Sequence, residues 1–139
     1  MQTVDVGATY EREFVIDDAM IRRYADAVGD HNPLHLDDGF AATTPFGRRI
    51  AHGGILFGLV SRILGVDFPG AGTVFLRQVI EFCGPVHVDD RVKVRLEVAE
   101  LLPKNGARLT VQITRGSDLV SKGEATIKLP KIRSQAMGQ

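Results

Sequence analysis

The run IAHGGILFGLVSRIL, Ile50 to Leu64, decides the fold. Ile55, Leu56, Phe57, Leu59, Val60, Ile63 and Leu64 leave it almost no polar side. The spacing therefore predicts a helix enclosed by its surroundings, not one lying on a surface. Downstream of Gly72 the pattern changes to alternation. TVFLRQVIEF, DRVKVRLEVAEL, ARLTVQITRG and LVSKGEATIKL read as four strands. Short turns containing Asn105-Gly106 and Gly116-Ser117-Asp118 join the last three, which predicts an antiparallel meander. Upstream, Thr9 to Val15 reads as a first strand. A helix capped by Asp17 or Asp18 follows, running to Gly29 with Met20, Ile21, Tyr24, Ala25 and Val28 at helical spacing. Between Asp30 and Arg49, Pro33, Gly39, Pro45 and Gly47 predict an ordered loop with at most one short helical turn, near Asp37 to Ala42. The order predicts an α+β domain in which a curled antiparallel sheet wraps one long buried helix.

Bulk properties narrow the class. A chain of 139 residues, 44% hydrophobic and 24% charged, fits one globular domain. We expect it to span residues 1–130, with KIRSQAMGQ, 131–139, as a polar, frayed tail. A domain this small leaves little spare area for a large enclosed ligand site, and association with a second copy would help. Lys plus Arg and Asp plus Glu both number 17, so no net field recruits nucleic acid or an anionic membrane. Cys83 stands alone, which excludes an internal disulfide and a cysteine zinc site, fits a reducing cytoplasm and reads as a buried structural thiol. The N-terminal MQTVDVGATYEREF has no apolar run, so neither a signal peptide nor a membrane span is expected.

Two segments carry chemistry: DHNPLHLD, Asp30 to Asp37, and FGRRIAHGG, Phe46 to Gly54. Pro33 forces Asn32 out of helical geometry, and the resulting bend can turn Asp30 and His35 to one side. An acid and an imidazole converging on one point can hold a water and move its protons. An Asx turn beside a surface histidine is the other reading of this spacing. A divalent metal on Asp30, His31, His35 and Asp37 is poorly supported, since no ligand pair sits at helical H-x-x-x-H spacing. Ala51-His52-Gly53-Gly54 lies where the chain enters the buried helix, whose first N–H groups have no internal partners. Such donors can hold a carbonyl oxygen on which charge develops. Equally, the glycines can serve close packing, with His52 bracing the loop. Ser61 is polar among apolar neighbours but lacks a nucleophile-elbow context.

With these motifs and the closing GEATIKLP in place, the chain resembles the MaoC-like hydratases of the hotdog fold, most closely the short (R)-specific enoyl-CoA hydratases, from about residue 8 to Pro130. The two-part signature D-x-N-P-x-H-x-D followed by A-H-G carries the resemblance. It implies that Asp30 and His35 are the catalytic pair and that Gly53 offers its N–H to a thioester carbonyl. Ser61, Asn32 and His52 complete the oxyanion and substrate side, with Asn32 bracing the loop. The implied reaction adds water to a trans-2-enoyl-CoA, reversibly, giving the (R)-3-hydroxyacyl-CoA. It needs no cofactor and no metal. The implied partners are an acyl-CoA or acyl-carrier-protein thioester and a second copy in a homodimer joined edge to edge, with no nucleic acid and no membrane. Arg48, Arg49, Arg62 and Arg77 are candidates for the carrier phosphates. A 3-hydroxyacyl-carrier-protein dehydratase subunit, a hotdog acyl-CoA thioesterase and a non-catalytic acyl-carrier-binding module are the alternatives. Chain-length preference and pathway, polyhydroxyalkanoate supply among them, stay open.

Overall fold

A computed structural model describes residues 4–131, so the expected tail lies almost wholly outside the described residues. The elements are β1 (Thr9–Ile16), α1 (Asp18–Val28), α2 (Pro33–Leu36), α3 (Asp38–Ala42), α4 (Gly53–Arg62), β2 (Val74–Phe82), β3 (Asp90–Leu102), β4 (Gly106–Arg115) and β5 (Asp118–Lys128). One antiparallel sheet runs in the order β1-β3-β4-β5-β2, so β1 and β2 are its edges. Alternation puts Val92, Val94, Leu96 and Val98 of β3 and Ala107, Leu109, Val111 and Ile113 of β4 inward. There they bury against Leu56, Val60, Ile63 and Leu64. Each large aliphatic side chain so enclosed is worth about 1.5–3 kcal/mol relative to exposure. The enclosed helix and the curled sheet are those the hydropathy pattern predicts.

Local chemistry fixes the ends. The Asp17 carboxylate accepts from Met20 N at 2.9 Å and caps α1. Gly29, at φ 78°, closes it with an N–H to Ala25 O at 2.8 Å. The segment expected to be a loop with one turn carries two short helices. Pro33 at the first helical position and Asn32 as cap, accepting from Leu34 N at 3.0 Å, build α2, so His35 is a helical residue. Asp37 caps α3 by accepting from Phe40 N at 2.9 Å.

Helix α4 begins three residues later than the apolar run. Ile50 is bridged to His87, and Ala51 N donates to Val86 O at 2.7 Å, so both are held as extended chain. Beyond Arg62 a wider π-helical turn over Ile63–Asp67 continues the helix. In the β3–β4 hairpin the left-handed residues are Lys104 (φ 59°) and Asn105 (φ 63°). The turn therefore sits one residue earlier than Asn105-Gly106, because Gly106 is already paired with Leu102.

Edge strand β2 approaches β5 most closely at Gly123, where a Cβ would collide with the Val79 carbonyl oxygen. Gly123→Ala is expected to push β2 outward and cost about 1–3 kcal/mol in a denaturant titration. An unchanged midpoint would contradict this approach.

Candidate active site

Asp30 leaves α1 directly after the left-handed Gly29, and its carboxylate accepts from Asn32 N at 3.3 Å. This bend keeps the acid exposed while the following turn carries His35 inward, where the ring is buried. Two imidazoles then lace this segment to the entrance of α4. His35 Nδ1 lies 2.7 Å from Ile50 O, and His52 Nε2 lies 3.0 Å from Asp30 O. A carbonyl only accepts, so both nitrogens carry the proton. In the neutral ring this leaves His35 Nε2 as a lone pair. The two rings lie 3.9 Å apart at 32°, and Tyr24 packs on His52 from the other side at 4.7 Å.

Asp30, His35 and His52 each offer one ligand-type atom, all within 4.8 Å of one another. Two hydrogen bonds of about 2.8 Å from a single water, diverging near the tetrahedral angle, span about that separation. The geometry suits one water held between carboxylate and imidazole. The same three residues are the one grouping of metal-ligand types among the described residues. It is not the set of four weighed, and poorly supported, in the sequence: His31 Nε2 pairs with Asp26 at 3.0 Å on the surface, and Asp37 is spent on the α3 cap. Burial, the largest cause, holds the His52 pKa below its ordinary 6.5, against the bond to Asp30 O that raises it; the neighbouring His35 adds to the lowering. His52 is therefore the neutral brace of the cluster, with Nδ1 buried and without a hydrogen-bond partner.

Helix α4 supplies the other wall. His52 is its N-cap residue and makes no side-chain capping bond, so the leading N–H groups, Gly53 first, face outward. Gly53 lines a cleft of about 470 Å³ together with His35, Phe46, Leu56, Phe82 and Cys83. The Phe82 ring lies over Gly53 so closely that a Cβ there would come within 2.7 Å of Cζ. At Gly54 a Cβ would collide with the Tyr24 hydroxyl. The two glycines thus have separate steric reasons, one facing the cleft and one facing α1.

Of the sequence candidates, Asp30, His35, His52 and Gly53 come together. Asn32 turns back to cap α2, as a brace would. Ser61 lies eight residues along α4, about 12 Å of helix axis from Gly53, and is not among the residues lining the cleft. Two expectations need correction. Cys83 is exposed, not buried, because it follows the last residue of β2; its backbone N donates to Val120 O at 2.9 Å and its thiol to Glu81 O at 3.8 Å. Arg49 is buried. It donates to Asp38 at 2.7 Å, Asp18 at 2.6 Å and the His35 carbonyl at 3.2 Å, so it braces α2 and is not available to a phosphate. These acids hold its pKa above the ordinary value, and Arg49 in turn lowers that of Asp18. Arg48, Arg62 and Arg77 are engaged with Asp90, Asp67 and Glu124. Sequence reading missed Tyr24 and Phe82 as walls of the site. The signal for both was the paired glycine, which marks two close approaches.

The chain is similar to known hydratases and dehydratases. The MaoC like domain family model matches residues 2–120. A 3-hydroxybutyryl-CoA dehydratase of Methylorubrum extorquens is 43% identical over 94% of this chain and 83% of its own length. An (R)-specific enoyl-CoA hydratase of Aeromonas caviae is 42% identical over 93% of this chain and 98% of its own. The solved R-hydratase of Pseudomonas aeruginosa superposes with a TM-score of 0.89 at 39% identity, covering 93% of this chain and 84% of that one.

Because His52 is neutral when buried, the unfolded chain binds its proton more readily. The stability this sets is complete above the unfolded value of 6.5 and falls as the pH drops below it. Thermal midpoints measured from pH 8 to 5 are expected to decline below pH 6.5, and His52→Asn to flatten that decline. An identical slope in the variant would contradict a neutral His52.

Proposed function

The chain belongs to the MaoC-like domain family, and on that premise we propose that it is an (R)-specific enoyl-CoA hydratase, a hydro-lyase working in either direction between a trans-2-enoyl-CoA and the (R)-3-hydroxyacyl-CoA. The observation that carries this reading is the convergence of the Asp30 carboxylate and the His35 imidazole, anchored through Nδ1 on Ile50 O, beside the uncapped start of α4. Relatives named for hydration and for dehydration are compatible with a single site, since the two are one reaction run in opposite directions.

The thioester carbonyl docks on the Gly53 N–H, where the helix dipole favours the negative charge that develops on oxygen. A water between Asp30 and His35 loses a proton to the pair as its oxygen bonds to C3. Electron density moves through C2 onto the carbonyl oxygen, and the pair then returns a proton to C2 as the enolate collapses. His35 keeps Nδ1 on Ile50 O throughout, so its Nε2 exchanges the proton. Neutral His52 keeps a second positive charge away from this exchange. Phe82 and Leu56 cover the apolar side of the cleft. A thioesterase on this fold would release a thiol, which hydration does not. We propose a cytoplasmic homodimer; no helix among the described residues is long and apolar enough to cross a membrane.

With crotonyl-CoA the protein is expected to consume the enoyl absorbance without releasing thiol. Asp30→Asn and His35→Ala should each lower kcat by about two to four powers of ten. A wild-type rate no faster than Asp30→Asn, or release of a thiol, would overturn the assignment.

A further inference from the structure

The distribution of unpaired charge marks a second site. Among the described Lys and Arg side chains, most form ion pairs with a carboxylate; Arg23, Lys104, Lys128 and Lys131 do not. The three lysines converge on one cleft of about 660 Å³, with Val74 and Leu129 as apolar lining. The cleft is braced. Asn105 Nδ2 donates to Leu129 O at 3.0 Å and Leu129 N to Asn105 O at 2.8 Å, tying the β3–β4 turn that carries Lys104 to the end of β5 that carries Lys128. In a chain of zero net charge, three lysines without an ion-pair partner lining one hollow favour a multiply charged anion there.

Its position on β2 shows whose anion. Val74 of the basic cleft begins the strand and Phe82 of the catalytic cleft ends it, about 27 Å away at 3.4 Å per residue. Strand β2 is also an edge with Val74, Leu76, Val79 and Phe82 exposed, an apolar border that invites a second copy. Isologous pairing requires that if residue i meets residue j, then j meets i. Antiparallel pairing of β2 about its midpoint, Gln78, sets Val74 of one copy opposite Phe82 of the other. The basic cleft of each subunit then borders the catalytic cleft of its partner.

Resting on the hydratase and homodimer reading above, we propose that Lys104, Lys128 and Lys131 bind the nucleotide phosphates of the CoA whose thioester occupies the partner subunit's Asp30–His35 site. Each site is then built from both copies. Carrier selectivity lies with the lysine cleft and the chemistry with Asp30 and His35. Of the four arginines first considered for phosphate contact, Arg49 is buried in its ion pairs and Arg48, Arg62 and Arg77 each have a carboxylate at 3.8–4.0 Å, whereas the three lysines have none among the described residues.

The test compares crotonyl-CoA with crotonyl-pantetheine, which lacks the nucleotide phosphates, in wild type and in K104E/K128E. KM for crotonyl-CoA is expected to rise at least about tenfold, or roughly 1.4 kcal/mol, with kcat and the KM for crotonyl-pantetheine unmoved. Equal changes for both thioesters, or none, would overturn the proposal. Binding of CoA itself, followed by calorimetry, should weaken by a similar factor. That readout needs no turnover, so failure of the hydratase reading is distinguishable from failure of this one. K104A/K128A should show the same direction to a smaller extent, which separates loss of phosphate contact from misfolding. Mixed dimers of D30N with K104E/K128E place the only intact Asp30–His35 pair opposite intact lysines. A wild-type KM in that dimer supports sharing across the interface, and a raised KM overturns it.

Discussion

Two hydrogen bonds from imidazole to backbone carbonyl hold this site together. His35 reaches forward to Ile50 O and His52 reaches back to Asp30 O, so the turn after α1 and the entrance to α4 are laced in both directions. Neither bond is replaceable by a change of protonation, because a carbonyl cannot donate. Together they fix a tautomer of the neutral rings, bring the carboxylate and a His35 ring nitrogen within 4.8 Å, and set that pair beside the start of the core helix. Arg49 secures the lacing from beneath, since its guanidinium joins the His35 carbonyl to the first turns of α1 and α3. A buried cation between two carboxylates and a carbonyl tolerates little displacement.

Rigidity there contrasts with the covering of the cleft. Phe82 and Cys83, at the end of an edge strand, are exposed although they border Gly53 and His35. Asp30 and His35 are therefore held in a fixed arrangement, while the wall that Phe82 and Cys83 form is open to solvent. A second copy along β2 would enclose it.

Much of this was legible in the sequence because the signals were local. The largely apolar run after Gly54 marked a core helix, alternation in Asp90 to Lys128 marked a half-buried meander, and α1 was bracketed by the Asp17 carboxylate and by the backbone freedom of Gly29. Asp30 and His35 were legible through Pro33, which bends the chain between them. What stayed hidden depends on contacts between distant residues. The burial of Arg49 comes from acids eleven and thirty-one positions away. The collision of Tyr24 with any side chain at position 54 and the shelter that Phe82 gives Gly53 exist only once α1, β2 and α4 pack. Cys83 misled because a lone thiol reads as core, whereas the end of β2 leaves it in the open. His52, expected near substrate, has a ring nitrogen within 4.8 Å of the ligand-type atoms of Asp30 and His35 and is tied to Asp30 O.

The proposed proton exchange requires His35 to present a bare Nε2 to water while Nδ1–H stays on Ile50 O. Nitrogen-15 NMR of the labelled imidazoles, recorded where the rings are neutral, reads this tautomer directly. The lacing predicts Nδ1–H for His35 and Nε2–H for His52. A His35 ring protonated on Nε2 in the resting protein would contradict it.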